Sequence, residues 1–382
     1  MKQIALYGPE LTFGSDDLIK SFRDLNDPTK LETIFSNELI EFLAIFHQEN
    51  FKTREEKSEI PEFSRPERYW KGMKRNVVRL TYPDGWYLEY FSDPGVLEVN
   101  TCPMTYETAL SHCARMQRDI FDAMAYVGQY PQLFAGAGHV HIDIKAFDNS
   151  YLYFRNFLVD FFNHASLTNG ALNDDKYNSI GLADLPEENR DVLKLILTEY
   201  DGLKFSDETL RIKSFAKSVT DYVYTIAAGR DPIYPFQDHK VRPVKYHSIN
   251  LKNVYESALS SGGNTIEIRC LRPQESALAL VQIINLFEKR IQFIKTINNK
   301  ISFKNSRPFH LFMTNEQWSM PEELERLSSE AQRVLGEFHH YVKESGLLWS
   351  DYKKFVLPWW HGEGSEIEKF ESTISDLKDL AL

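Results

Sequence analysis

The sequence predicts an α+β fold: a mostly antiparallel sheet with one open polar face and helices packed behind it. Three observations point there. Short segments such as LEVN at 97–100, GHVHIDI at 138–144 and TIEIR at 265–269 alternate apolar with polar residues, the period of a strand buried on one side only. Longer stretches between them repeat apolar residues at helical spacing. Pro83, Asp84 and Gly85 separate two strand-like runs, NVVRLTY and GWYLEYFS, as a hairpin turn does.

In chain order, the first strand lies near 3–14, with Gly8 and Pro9 perturbing it just before Glu10. Ser15 with Asp16 and Asp17 opens a helical region over 15–50, whose apolar stripe is ELIEFLAIF. Residues 51–68, charged and proline-bearing, read as an exposed loop. Strands follow within 76–100, then a helix over 105–127 and a strand over 138–145. Residues 151–228 form a helical insertion, interrupted by a polar Asn/Asp-rich stretch near 168–190. A proline-bearing loop over 229–245 is of the kind that closes over sites. Strands at 245–251 and 264–271 lead into a helical C-terminal region, 275–382. One sheet can gather strands from both halves, so a single domain over 1–382 is expected.

The net charge of -11 argues against a nucleic-acid backbone as partner. Three cysteines, Cys102, Cys113 and Cys270, without a CxxC pair, suit a reducing compartment. No apolar run approaches the roughly 20 residues that span a membrane, and MKQIALYGPELTF lacks a signal-peptide core. The expectation is a cytoplasmic protein with neither membrane nor nucleic acid among its partners.

The polar sides of these strands carry the chemistry. GHVHIDI sets His139, His141 and Asp143 on one side; LEVN sets Glu98 with Asn100; TIEIR sets Glu267 with Arg269. KYHSINL offers either Lys245, His247 and Ile249 or Tyr246, Ser248 and Asn250. A carboxylate beside a guanidinium suits a metal-bound phosphate, the first holding a cation and the second pairing with phosphoryl oxygens. Solvated surface charge is the plain alternative for such a pair. Carboxylates with imidazoles suit Mg²⁺ or Mn²⁺, and no thiolate set suits structural zinc. Walker-type and kinase signatures are absent from the sequence. Cys270 alternates onto the core side and Cys102 has no fixed general base, so neither reads as a nucleophile. The aromatic residues Trp349, Tyr352, Trp359 and Trp360 read as packing.

Together these segments resemble the amidoligase family, relatives of glutamate–cysteine ligase and glutamine synthetase. The shared order is a first-strand glutamate after a glycine, the Asp-Gly turn with LEVNTCP, GHVHID, the Tyr and Asn of KYHSINL, and TIEIR. It covers about residues 4–14, 76–145 and 242–275. The resemblance implies a glutamine-synthetase-like catalytic fold with ATP and Mg²⁺ (or Mn²⁺) as cofactors. It makes Glu10, Glu98, Glu267 and His139 metal ligands, with His139, His141 and Arg269 around the nucleotide. Arg269 would stabilise the transferring γ-phosphoryl, Asp84 would orient the amine or a metal water, and Tyr246 and Asn250 would contact substrate. The family commonly has a second acidic residue two positions after the first-strand glutamate; here it is Thr12, which unsettles the usual metal count.

The implied reaction joins a small-molecule or peptide carboxylate to an amine (or thiol) through an acyl phosphate. Two rivals stand beside it: a metal-dependent hydrolase, because His-x-His with carboxylates can also activate water, and a degenerate nucleotide-binding relative.

Overall fold

Pro9 inside a strand removes a ladder donor, so the chain must place it where none is needed. The structure, a computed structural model, describes residues 4–24, 33–70, 73–93, 95–131, 138–172, 181–224, 247–256, 264–309, 311, 320–356 and 366–379. Strand β1 (Tyr7–Gly14) contains Pro9 and pairs with two neighbours. Tyr7 exchanges both backbone hydrogen bonds with Met104, at 2.8 and 2.9 Å, and regular pairing resumes at Glu10 opposite Asn100. Between these links Gly8 and Pro9 face Thr101, Cys102 and Pro103, an unequal count that makes a bulge. Tyr7 directs its N–H to that side, so the position of Pro9, two residues on, would direct its own into the same gap. The perturbation expected before Glu10 is therefore present, and it lies at the bulge.

Contacts divide the described residues into two compact units, where the alternating pattern led to the expectation of one domain: Ile4–Ile142 with Leu271–Ile284, and Asp143–Cys270 with Asn285–Leu382. The first is built on a sheet. After β1 come β2 (Glu62–Ser64), β3 (Arg68–Trp70), β4 (Met73–Arg75), β5 (Val77–Thr81), β6 (Tyr87–Asp93), β7 (Val96–Thr101), β8 (Tyr130–Pro131) and β9 (His139–Asp143). Their order is β9-β1-β7-β6-β5-β2, antiparallel throughout, with β8 also beside β1. Strands β3 and β4 form a separate ribbon. The loop expected at 51–68 is a correction: it holds a 3₁₀ turn, Lys57–Glu59, and the edge strand β2. Its polar residues hid a strand that lies at the sheet's edge and buries little.

The apolar side of this sheet presents Leu11, Val99, Tyr90 and Val78 in one cross-strand row, all buried. Helix Ile34–Lys52 packs there through Leu39, Ile40, Leu43, Ala44 and His47. The 15–50 region is two helices, Asp16–Arg23 and Ile34–Lys52, each with its own cap, Ser15 and Thr33. The segment 105–127 runs as Tyr106–Ser111 and then a helix from Cys113 to Tyr126 with a π turn over Gln117–Asp122. Phe121 meets Phe13 edge to face, at 5.6 Å between ring centroids.

Beneath the sheet His47 donates from Nε2 to the Tyr90 hydroxyl at 3.0 Å, and that hydroxyl donates to the Asp119 carbonyl. Burial first of all pushes the imidazole down to about 4, with Asp119 pulling it back and Arg54 and Arg118 adding to the fall. An unfolded histidine titrates near 6.5. Between the two values the unfolded chain binds the extra proton, so stability falls as pH drops from about 6.5 to about 4. The gap corresponds to about 3 kcal/mol. Urea unfolding across this range is expected to show that loss, reduced in His47→Gln; an equal slope in the variant would contradict the assignment.

The second unit is mainly helical: Tyr151–Asn163, Glu187–Gly202, Glu208–Ser218, Pro321–Glu344 and Glu366–Asp379, with the C-terminal half of helix Ala277–Lys295. The described residues of the segment expected as a helical insertion, 151–172 and 181–224, lie in this unit. Strands β10 (Ile249–Asn250) and β11 (Thr265–Ile268) pair antiparallel within it. Trp349 and Tyr352 are packing residues as expected: Trp349 meets Phe338, His339 and Phe370, and Tyr352 is buried. The loop at 229–245, with Trp359 and Trp360, lies outside the described residues. Among the described residues no helix is long and apolar enough to cross a membrane. The observed class is α+β with a mostly antiparallel sheet.

Candidate functional site

In an antiparallel sheet, residues directly opposite one another share a face. Glu10 lies opposite Asn100 on β7 and opposite His139 on β9, and His141 is opposite Gly8. Thr12 is opposite Glu98. The polar face of the sheet unit therefore carries His139, His141, Glu10, Thr12, Asn100 and Glu98 together. Glu98 is the diagonal neighbour of Glu10, a spacing that long side chains bridge.

The side chains converge on Glu10. Its Oε1 is 3.0 Å from His141 Nε2 and its Oε2 is 3.4 Å from His139 Nδ1. Burial works against ionisation of Glu10, but attraction to His141 and His139 outweighs it and holds the carboxyl well below its ordinary range. Glu98 shows the opposite. Burial, then repulsion from Glu10 and Asp93, holds its carboxyl well above the ordinary value, only partly offset by Arg75 and a hydrogen bond with Asn100. Two carboxyls of opposite tendency on one face are what like charges in a half-buried setting produce, and a cation would relieve the conflict.

The donor set fits such a cation. Glutamate oxygens with imidazole nitrogens suit Mg²⁺ or Mn²⁺. Asn100 adds a buried Oδ1 with no hydrogen-bond partner among the described residues, on the same face. The sequence placed Asn100 beside Glu98 without giving it a part; its orphaned oxygen emerges only from the fold.

A Cβ at Gly138, next to His139, would require the Gln274 amide to shift from its place, where it is buried and donates to the Arg272 carbonyl at 2.6 Å.

Further along the same face lies a charged cluster that sequence reasoning missed. Glu89, 3% exposed, is opposite both Asn100 and Arg79. Arg68 of the β3–β4 ribbon donates to its two oxygens at 2.8 and 3.1 Å, and Arg79 Nε donates at 2.7 Å. Arg75, also on the ribbon, lies over Phe91 and donates to Ser92 O and Asp93. The face expected to be open is thus partly fastened under the ribbon. The signal was present: Arg79 and Glu89 stand equally far from Asp84 at the hairpin turn, hence opposite each other.

Asp84 holds that turn. Its Oδ1 accepts the Trp86 N–H at 2.9 Å, while Oδ2 accepts from Arg115 at 2.7 Å and lies 2.9 Å from His112 Nε2. Burial opposes these bonds, yet they keep its carboxyl far below the usual range.

In the helical unit, β10 and β11 set Asn250 opposite Glu267. Asn250 Nδ2 donates to Glu267 Oε2 at 2.6 Å, and Arg269 Nη1 donates to Oε1. Glu267 is 5% and Asn250 6% exposed. The expectation of Asn250 at a substrate surface meets a buried residue holding a carboxylate. Tyr246 lies outside the described residues. Cys270 is fully buried and burial raises its thiol strongly; Cys102 is raised as well, so neither supplies a ready thiolate.

No family model matches the sequence, and no curated protein matches it. Among solved structures the chain is similar to GmaS in an apo form without ligand, at 12% identity and a TM-score of 0.34, over 94% of this chain and 71% of that one.

Proposed function

We propose that this chain is an ATP- and Mg²⁺-dependent carboxylate–amine ligase of the kind its amidoligase-like segments imply. The observation that supports it most is the carboxylate Glu10 between two imidazoles, with Glu98 diagonal to it on the same sheet face. Glu10, Glu98, His139 and Glu267 would hold divalent cations, and His141 would meet the nucleotide. Bound cations would offset phosphate charge as the γ-phosphoryl moves. Arg269 would balance the same charge through its guanidinium.

A substrate carboxylate oxygen attacks the γ-phosphorus, ADP leaves, and an acyl phosphate forms. An amine then attacks the acyl carbon, phosphate leaves, and an amide-type bond remains. Asp84 enters as the anchor of the β5–β6 turn, since both its oxygens are engaged.

The test is to incubate the protein with MgATP and pooled carboxylic acids, with and without pooled amines. ADP and phosphate forming only when both pools are present supports the reading. Turnover without nucleotide would favour a metal-dependent hydrolase. Absence of Mg²⁺-dependent ATP binding by calorimetry would favour a relative that has lost catalysis.

A further inference from the structure

A cation ligand at Glu267 belongs to the proposed function, and the role of its neighbour Asn250 rests on that reading. A carboxylate on a strand rotates about its last bond, so a ligand of this kind needs a second contact to aim it. In the helical unit that contact is Asn250. Its Nδ2 donates to Glu267 Oε2 at 2.6 Å. Its Oδ1 accepts the backbone N–H of Lys252 at 3.0 Å. A backbone N–H can only donate, so the amide orientation has no freedom to flip: the oxygen faces Lys252 and the NH₂ faces Glu267. The turn that carries Asn250 is itself fastened, because Lys252–Tyr255 is a short helix and Val254 within it is fully buried.

We infer that Asn250 is a positioning residue for Glu267, setting the direction of its carboxylate and through it the affinity for a divalent cation. The register makes this possible, since Asn250 and Glu267 are directly opposite on β10 and β11. Arg269 holds the other oxygen, so a cation binding there would exchange a guanidinium contact and leave the Asn250 contact in place.

Serine separates this role from a merely structural one. In Asn250→Ser the hydroxyl can still accept from the Lys252 N–H, which preserves the turn, but it is too short to reach Glu267. Mn²⁺ binding to the full chain, followed by electron paramagnetic resonance, is expected to weaken about 10- to 100-fold in Asn250→Ser, while the urea midpoint stays near that of the unaltered chain. Asn250→Ala should weaken binding as much and lower the midpoint as well. Unchanged Mn²⁺ affinity in Asn250→Ser, alongside a clear loss in Glu267→Gln, would overturn the positioning role and leave the cation reading standing. Unchanged affinity in Glu267→Gln would overturn both.

Discussion

Glu10→Gln is expected to cost at least about 100-fold in Mn²⁺ and MnATP affinity, and more in turnover. The glutamine keeps the length and shape of the side chain but removes a carboxyl that His141 and His139 hold well below its ordinary range. Losing a full charge beside a divalent cation forfeits several kcal/mol, and each 1.36 kcal/mol is about tenfold. The same geometry supplies a second readout. Repulsion from Glu10 is among the causes that raise Glu98, so in Glu10→Gln the Glu98 carboxyl should titrate lower, though burial still keeps it above the ordinary value. Calorimetry with Mn²⁺ and a non-hydrolysable ATP analogue checks the first effect, and carboxyl titration by NMR checks the second. Binding that survives Glu10→Gln with its affinity intact would remove the sheet face from the proposed chemistry.

The largest stability effect should come from the helical unit. Arg290 donates to Asp160 at 2.5 and 2.7 Å and to Glu344 at 3.2 Å, with its guanidinium 4.1 Å from the centre of the Tyr341 ring. It is 1% exposed and Asp160 is 4% exposed. Arg290→Met fills similar space but leaves the Asp160 carboxylate buried without its guanidinium, which costs about 3–5 kcal/mol. The double change Arg290→Met with Asp160→Leu removes both charges and should recover a good part of that loss. Urea unfolding of the unaltered chain, Arg290→Met and the double variant tests this directly; a single-variant loss under about 1 kcal/mol would mean that the pair is solvated in solution.

Neither half of that pair is legible in the sequence. Arg290 sits in FEKRIQF, where it reads as one more charge on the wet side of an amphipathic helix, and Asp160 lies 130 residues earlier. The same holds for Glu89. Its strand is readable from YLEYF, yet Arg68 reaches it from a ribbon that the charged residues around 65–75 do not announce. By contrast, alternation alone assigns His139, His141 and Glu98 to the polar sides of their strands, and the register of β1 with β7 and β9 puts them on one face. Asn250 divides the two cases: alternation in KYHSINL left two sets of residues open for the polar side, and only the pairing of Asn250 with Glu267 revealed what it holds.

Within this chain the local period of two settled which side of its own strand each polar residue takes, because side-chain direction in a pleated strand depends only on neighbours in sequence. It settled the α+β class, the hairpin at Asp84 and the disturbance before Glu10 for the same reason. Which strands lie side by side, and in what register, was decided by tertiary packing: a shift of one residue would turn every side chain to the other face. That choice brought both imidazoles to the oxygens of Glu10, left Asn100 Oδ1 without a partner among the described residues and buried Glu89 between two arginines. It did so through contacts between residues too far apart in sequence for local spacing to specify.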